Sequence, residues 1–143
     1  MVNTADQYLK TIYLLQQVEQ GPVSTGAIAE RLAVSPASAN EMIGKLAERE
    51  LVDHEKYKGV ELTDPGIVRA RESLQTYCII ERFLANVLSV EDFRAEAREL
   101  ENVIDETVAS RLDTIINRDD ACPDCFDVEM DACVYLKVES EAD

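Results

Sequence analysis

Histidine is nearly missing from this sequence: of 143 residues, His54 is the only one. No nucleophile stands beside a base in the sequence, and no glycine-rich loop is set to cradle phosphate, so an enzymatic function is set aside. Long apolar runs are missing as well. No stretch approaches the ~20 residues that span a bilayer. Residues 1–6 lack the basic start and the apolar stretch of a signal peptide. A cytoplasmic protein with no membrane contact is the expectation. Positive charge is scarce: 14 Lys and Arg face 29 Asp and Glu, for a formal charge of −15. The imbalance grows along the chain, and Lys137 is the only base after Arg118. Internal repeats and low-complexity linkers are absent too.

What is present suits one compact domain or two small ones, because 46% of the residues are hydrophobic, enough for a sizeable core. The organising stretch is Val23 to Thr63. Ser35 is a natural N-cap, and Pro36 loses nothing at the first helical position, where its missing N–H would be unpaired anyway. Ala39, Met42, Ile43 and Leu46 then recur at helical spacing, so one stripe faces a core and the opposite face is free. Upstream, Ser24 to Leu32 reads as a shorter helix, joined through Ala33 and Val34. Two short helices so connected form a helix-turn-helix, whose second helix enters the DNA major groove. Leu51 to Thr63 reads as two short strands around a turn near Lys58 and Gly59. A hairpin in that position is a wing, and it places Lys56 and Lys58 to touch phosphate.

Thr4 to Val18 predicts a first helix, with Thr4 as cap and Tyr8, Ile12, Leu15 and Val18 along one stripe; Gln20, Gly21 and Pro22 break it. Thr63 or Asp64 caps a long helix that Pro65 opens, and no breaker follows from Ile67 to Val87. Ser89 is the expected cap of the next helix, Phe93 to Val103. Ile104 to Ile116 continues that helix or forms another after a bend. Ala97, Leu100, Ile104, Val108, Leu112, Ile115 and Ile116 fit a helix–helix seam, either monomer core or a homodimer contact. After Asn117 helical pattern is lost, and Cys133 to Val138 alternates weakly, as a strand does. The expected fold is mostly α: a winged helix-turn-helix domain at residues 1–64, a helical dimerisation domain at 65–118, and a Cys-containing C-terminal tail at 119–143.

This order resembles the DtxR/MntR family of metal-dependent transcriptional repressors. Tyr8 to Tyr13 looks like the family's first helix. Ile28 to Leu32, Ser35 with Pro36, and Glu55 to Gly66 look like its DNA-binding half, while Glu81 to Leu84 and Glu101 to Ile104 fall where its dimer helices lie. The resemblance covers about Thr4 to Ile116 and corresponds to the short, two-domain form. It implies a homodimer on double-stranded DNA, with Mn(II) or Fe(II) held between the first helix and the dimer helices. The implied ligand positions carry Gln7, Lys10, Tyr77, Glu81, Arg98, Glu101 and Asn102. Glu81 and Glu101 are the acids that remain in place, with Glu99 or Asp105 as neighbours to complete an oxygen site for a hard cation.

The four cysteines all lie in the second half. Cys122 and Cys125 have the C-x-x-C spacing that turns two thiolates onto one ion, Cys133 follows, and Cys78 is available as a fourth ligand for zinc, iron or an iron–sulfur cluster. A thiol–disulfide switch and inert buried cysteines are the other readings. The functional expectation is a DNA-binding regulator, a homodimeric repressor responding to iron, manganese or redox state. Its DNA contacts are Ser35, Ala37, Ser38, Asn40, Glu41, Lys45, Lys56 and Lys58. The alternative is a winged-helix module that docks a protein partner through its acidic surface, without touching DNA.

An acidic DNA binder conflicts with the phosphate charge unless base is concentrated locally or salt is high. A halophilic setting resolves the conflict, because the Debye length falls to about 3 Å near 1 M salt. Urea midpoints measured across potassium chloride should therefore rise steeply with salt. A protein equally stable in dilute buffer would argue against that setting.

Overall fold

The computed structural model describes residues 4–55 and 58–116, together with the backbone of two short strands at 126–127 and 132–133. The chain divides into two compact units, one from Asn3 to Arg71 and one holding Glu72 onward.

In the first unit, α1 (Thr4–Glu19) buries Tyr8, Leu9 and Ile12, with Ala5 and Leu14 widening the stripe. Val18, expected on that stripe, is 57% exposed, because the last turn of α1 carries no other buried residue. Gln20 ends the helix in the left-handed region at φ 58°. Helix α2 (Thr25–Leu32) is capped by Ser24, whose Oγ accepts from the Ala27 N–H at 3.0 Å. Ala33 closes it at φ 56° and leads straight into α3 (Pro36–Glu48). Ser35 caps α3, accepting from the Ser38 N–H at 3.1 Å, with Pro36 at the first helical position as expected. Ala39, Ile43 and Leu46 are fully buried, while Met42 sits partly buried against the same core.

The wing is β1 (Val52–Glu55) antiparallel to β2 (Gly59–Leu62), with Val52 opposite Leu62 and Glu55 opposite Gly59. Val23 adds a bridge on the other side of β2: its N–H donates to the Val60 carbonyl at 2.9 Å, and the Val60 N–H returns a bond of 2.7 Å. Gly59 turns the ribbon at φ 97°, and a Cβ there would meet the Val23 carbonyl oxygen at 2.8 Å. The Leu62 N–H donates to Gln16 Oε1 at 2.9 Å, which fixes the ribbon to α1.

Helix α4 (Asp64–Arg82) begins in this unit, with Thr63 as its cap: Thr63 Oγ1 accepts from the Gly66 N–H at 3.2 Å. Two arginines of its early turns reach α1. Arg69 pairs with Asp6 at 2.7 Å, and Arg71 donates to the Tyr13 hydroxyl at 2.7 Å, with its guanidinium carbon 5.9 Å from that ring's centroid.

The second unit departs from expectation in three places. The long helix does not run unchanged to Val87: α4 ends at Arg82 and Phe83–Val87 form a π-helical turn, in which the Leu88 N–H reaches the Phe83 carbonyl at 3.2 Å. No breaker residue marks this change of pitch. Ser89 does not cap the next helix: it stands at φ 55° just after the π turn, and α5 (Phe93–Leu100) begins after Asp92 without a side-chain cap. The segment from Phe93 is also shorter than expected. Residues 101–103 form a turn, and α6 (Glu106–Ile115) starts afresh under Asp105, whose Oδ1 accepts from the Val108 N–H at 2.9 Å.

The core of this unit joins Tyr77, Cys78 and Ile80 of α4 and Leu84 and Ala85 of the π turn to Phe93 and Ala97 of α5. Of the expected seam, Ala97 and Ile116 are buried, whereas Val108 and Ile115 are 44% and 59% exposed. In the tail, β3 (Phe126–Asp127) pairs antiparallel with β4 (Ala132–Cys133). The rest of the strand expected from Cys133 to Val138 lies outside the described residues.

Two glycines predict opposite outcomes on replacement by alanine. A Cβ at Gly66 would collide with the backbone carbonyl of Leu51, an atom that cannot rotate away, whereas Gly44 in α3 has open space around it. Gly66→Ala should cost about 1–3 kcal/mol of stability, the range for forced overpacking. Gly44→Ala should add about 0.5–1 kcal/mol through helix propensity. Urea unfolding followed by circular dichroism at constant high salt measures both.

Candidate nucleic-acid interface and effector site

The nucleic-acid candidate is the outer face of α3. Every α3-region residue expected to meet DNA is exposed: Ser35, Ala37, Ser38, Asn40, Glu41 and Lys45. The stripe opposite them holds the buried Ala39, Ile43 and Leu46, so the helix is oriented by its own amphipathic pattern. Ser35 Oγ also donates to Ser38 Oγ at 3.0 Å, which ties both hydroxyls to the helix start. Glu41 is occupied locally as well, at 3.7 Å from Lys45 Nζ, with both side chains more than half exposed. Such a pair contributes about 0–1 kcal/mol, so a phosphate can compete for the lysine.

The wing presents Lys58, exposed and 3.2 Å from Glu55; Lys56 lies outside the described residues. An open cleft of about 440 Å³ runs beside the wing, lined by Glu19, Ser24, Thr25, His54, Glu55 and Lys58 among others. His54 is thereby placed on the wing of the first unit. Sequence reasoning gave no sign of the cleft, since its lining comes from the end of α1, the start of α2 and the ribbon.

A second cluster lies within the second unit. Glu81 of α4 and Glu101, which follows α5, are 0% and 1% exposed. Tyr77 stands one helical turn before Glu81 and is also buried. Burial above all, then the charge of Glu81 and hydrogen bonding to it, raise the Tyr77 phenol well above its usual 10.0; Arg98 pulls it down and Glu101 pushes it up. Glu81, Arg98 and Glu101 thus all act on one hydroxyl. The neighbours expected to complete an oxygen site are turned elsewhere: Glu99 is exposed and Asp105 caps α6. Cys78 is fully buried and disulfide-bonded, which leaves no thiolate there for a metal in this state. Cys122 and Cys125 lie outside the described residues, as does the side chain of Cys133. Gln7 and Lys10 are half-buried on α1 in the first unit.

Residues 1–60 match the family described as "Iron dependent repressor, N-terminal DNA binding domain", and residues 63–126 match its "metal binding and dimerisation domain". The chain belongs to the iron dependent repressor family. It is a DNA-binding transcriptional regulator and not an enzyme. An uncharacterized HTH-type transcriptional regulator of Methanocaldococcus jannaschii is 31% identical over 114 residues, covering 78% of this chain and 91% of that protein. The iron-dependent repressor IdeR of Mycobacterium tuberculosis is 30% identical over 86% of this chain and 54% of its own length. A solved manganese-dependent transcriptional repressor in complex with manganese superposes with a TM-score of 0.71 at 38% identity, over 78% of this chain and 51% of that one. The chain therefore spans about half the length of IdeR and of that solved repressor, and nearly all of the archaeal relative.

The family's metal does not fit the residues this chain carries at the implied positions. A first-row divalent ion is held by several imidazole, thiolate or carboxylate donors. The second-unit positions that the resemblance assigns to ligands supply Glu81 and Glu101, with a protonated phenol at Tyr77, a permanent cation at Arg98 and an amide at Asn102. Among the described residues no group of three or more His, Cys, Asp or Glu is placed to hold a metal. As described, Glu81 and Glu101 gain no third acid.

The Tyr77 shift has a signed consequence. Its folded pKa lies above the unfolded 10.0, so its contribution to stability is complete below that pH and is lost as the pH rises beyond it. Unfolding free energy should therefore fall above pH 10, and Tyr77→Phe should make that fall shallower by up to one proton's slope. Denaturant titrations from neutral to strongly alkaline pH measure the difference.

Proposed function

We propose that this chain is a homodimeric repressor that reads double-stranded DNA through α3 and anchors to phosphate through its wing. The observation that carries the proposal is the complete exposure of the α3 polar face above a buried apolar stripe, beside a ribbon bearing an exposed lysine. Asn40 is suited to an adenine edge and Ala37 to a thymine methyl, while Glu41 suits a cytosine amine. Lys45, Lys56 and Lys58 supply phosphate contacts. The dimer is supported by apolar residues left outside the second unit: Val87, Leu88, Val103, Val108 and Ile115 are each at least 44% exposed. Two copies would present their recognition helices to half-sites about 34 Å apart.

The acid of the remaining surface suits work in concentrated salt, where long-range repulsion from DNA is screened. The C-x-x-C pair, Cys122 and Cys125, adds a tail chemistry of metal binding or thiol exchange, supported by spacing alone.

The test is direct footprinting of the full chain on genomic fragments at high potassium chloride. A protected palindrome is expected, with Asn40→Ala costing about 1–3 kcal/mol at one base position. Lys58→Ala should weaken binding equally on all sequences. Binding indifferent to Asn40→Ala on every fragment would remove α3 from the groove. Absence of any footprint, with a protein retained on the acidic surface instead, would favour the protein-docking alternative.

A further inference from the structure

Glu81 and Glu101 are almost wholly removed from water, and buried carboxylates persist as anions only with counter-charge. The resemblance implies a metal ion as that counter-charge, in a family whose second domain is described as metal binding. Here the described cations of the second unit can be compared. Arg82 is buried, at 1% exposure, but follows Glu81 directly, about 100° away around the helix. Arg111 is exposed on α6. Neither is among the charges that reach the Tyr77 hydroxyl. Arg94 lies over the Phe93 ring, its guanidinium carbon 5.4 Å from the centroid, with its Nε buried and lacking a hydrogen-bond partner. Arg98 stands one turn beyond Arg94 and three residues before Glu101, on the same face of α5. Its charge reaches Tyr77 together with those of Glu81 and Glu101, and it is itself engaged in a polar or electrostatic contact. Much of Arg98 is exposed, so keeping it ionised carries little desolvation cost. A guanidinium cannot be deprotonated, so Arg98 acts on Glu81 through its charge rather than through a hydrogen bond.

We infer that Arg98 stands in for the metal: its guanidinium is the built-in cation of the Glu81 and Glu101 pair, and this repressor holds its dimerisation unit ready for DNA without a divalent ion at that place. Control of DNA binding then lies elsewhere than in manganese or iron occupancy between α4 and α5. The inference rests on the DNA-binding reading only for its last readout.

The experiment uses the full chain at high potassium chloride, freed of metal with chelator and then titrated with Mn(II). The free-ion paramagnetic resonance signal and the unfolding temperature are followed together. The wild-type chain should leave the signal undiminished and its unfolding temperature unchanged. Stoichiometric uptake of Mn(II) that Glu81→Gln abolishes would overturn the inference. Arg98→Glu combined with Asn102→His supplies two donors beside the existing acids and should take up Mn(II) where the wild type does not. Should that variant fail to fold, Arg98→Met, which keeps the length and removes the charge, serves instead. It should unfold at lower temperature than wild type, and equal stability would overturn the inference. On DNA fragments selected by the protein itself, chelator should change wild-type affinity by less than about threefold, under 1 kcal/mol. A loss of about tenfold or more that Mn(II) restores would overturn it. A chain that binds no DNA under any condition would strike the function proposed above and leave the Mn(II) result to decide this one.

Discussion

Thr63 joins three parts of the DNA-binding unit through its own few polar atoms. Its N–H donates to the Leu51 carbonyl at 3.1 Å, and its hydroxyl donates to the Glu50 carbonyl at 2.7 Å. The same hydroxyl accepts from the Gly66 N–H and so caps α4. The exit from α3, the end of the wing and the start of the long helix therefore meet at one side chain. Gly66 permits the meeting, since any Cβ there would collide with Leu51. The angle at which the wing leaves α3, and hence which groups face a duplex together, depends on this junction more than on any surface pair.

Much of this was legible in the sequence because it is governed by local chemistry. Ser35 with Pro36 fixes a helix start whatever surrounds it, Ala39, Ile43 and Leu46 fix its inner face, and Gly59 fixes the ribbon's turn. The second unit was less legible because tertiary packing decides it. Nothing in Phe83 to Val87 is a helix breaker, yet Leu84 and Ala85 pack with Phe93, and the helix widens there. Ser89 has the chemistry of a cap but closes the turn before it. Arg98 stands out in the sequence only as a cation at an implied ligand position; that Glu81 and Glu101 are both buried is decided by the fold.

The distribution of charge gives the two units different characters. In the first, arginines of α4 are committed to α1: Arg69 to Asp6 and Arg71 to Tyr13. The recognition helix and wing are left with few cations, and Lys45 and Lys58 each stand beside an acid. Few counterions can then be released on binding, so groove contacts carry more of the affinity for DNA. In the second, Arg82 is buried, at 1% exposure, while Arg98 keeps much of its side chain in water beside acids that the fold has buried.

The π turn at Phe83–Val87 has a consequence beyond ending a helix. A π turn accommodates one residue more than an α turn in the same length, and each residue of an α-helix advances the face by about 100°. Were the chain one residue shorter there, the helix would close over the gap, and everything after it would swing round by that angle. Val87 and Leu88, which now lie open to solvent, would turn toward a different side of the molecule. The direction in which this unit presents its exposed apolar residues is thus keyed to the one extra residue of the π turn, so length, as much as composition, sets it.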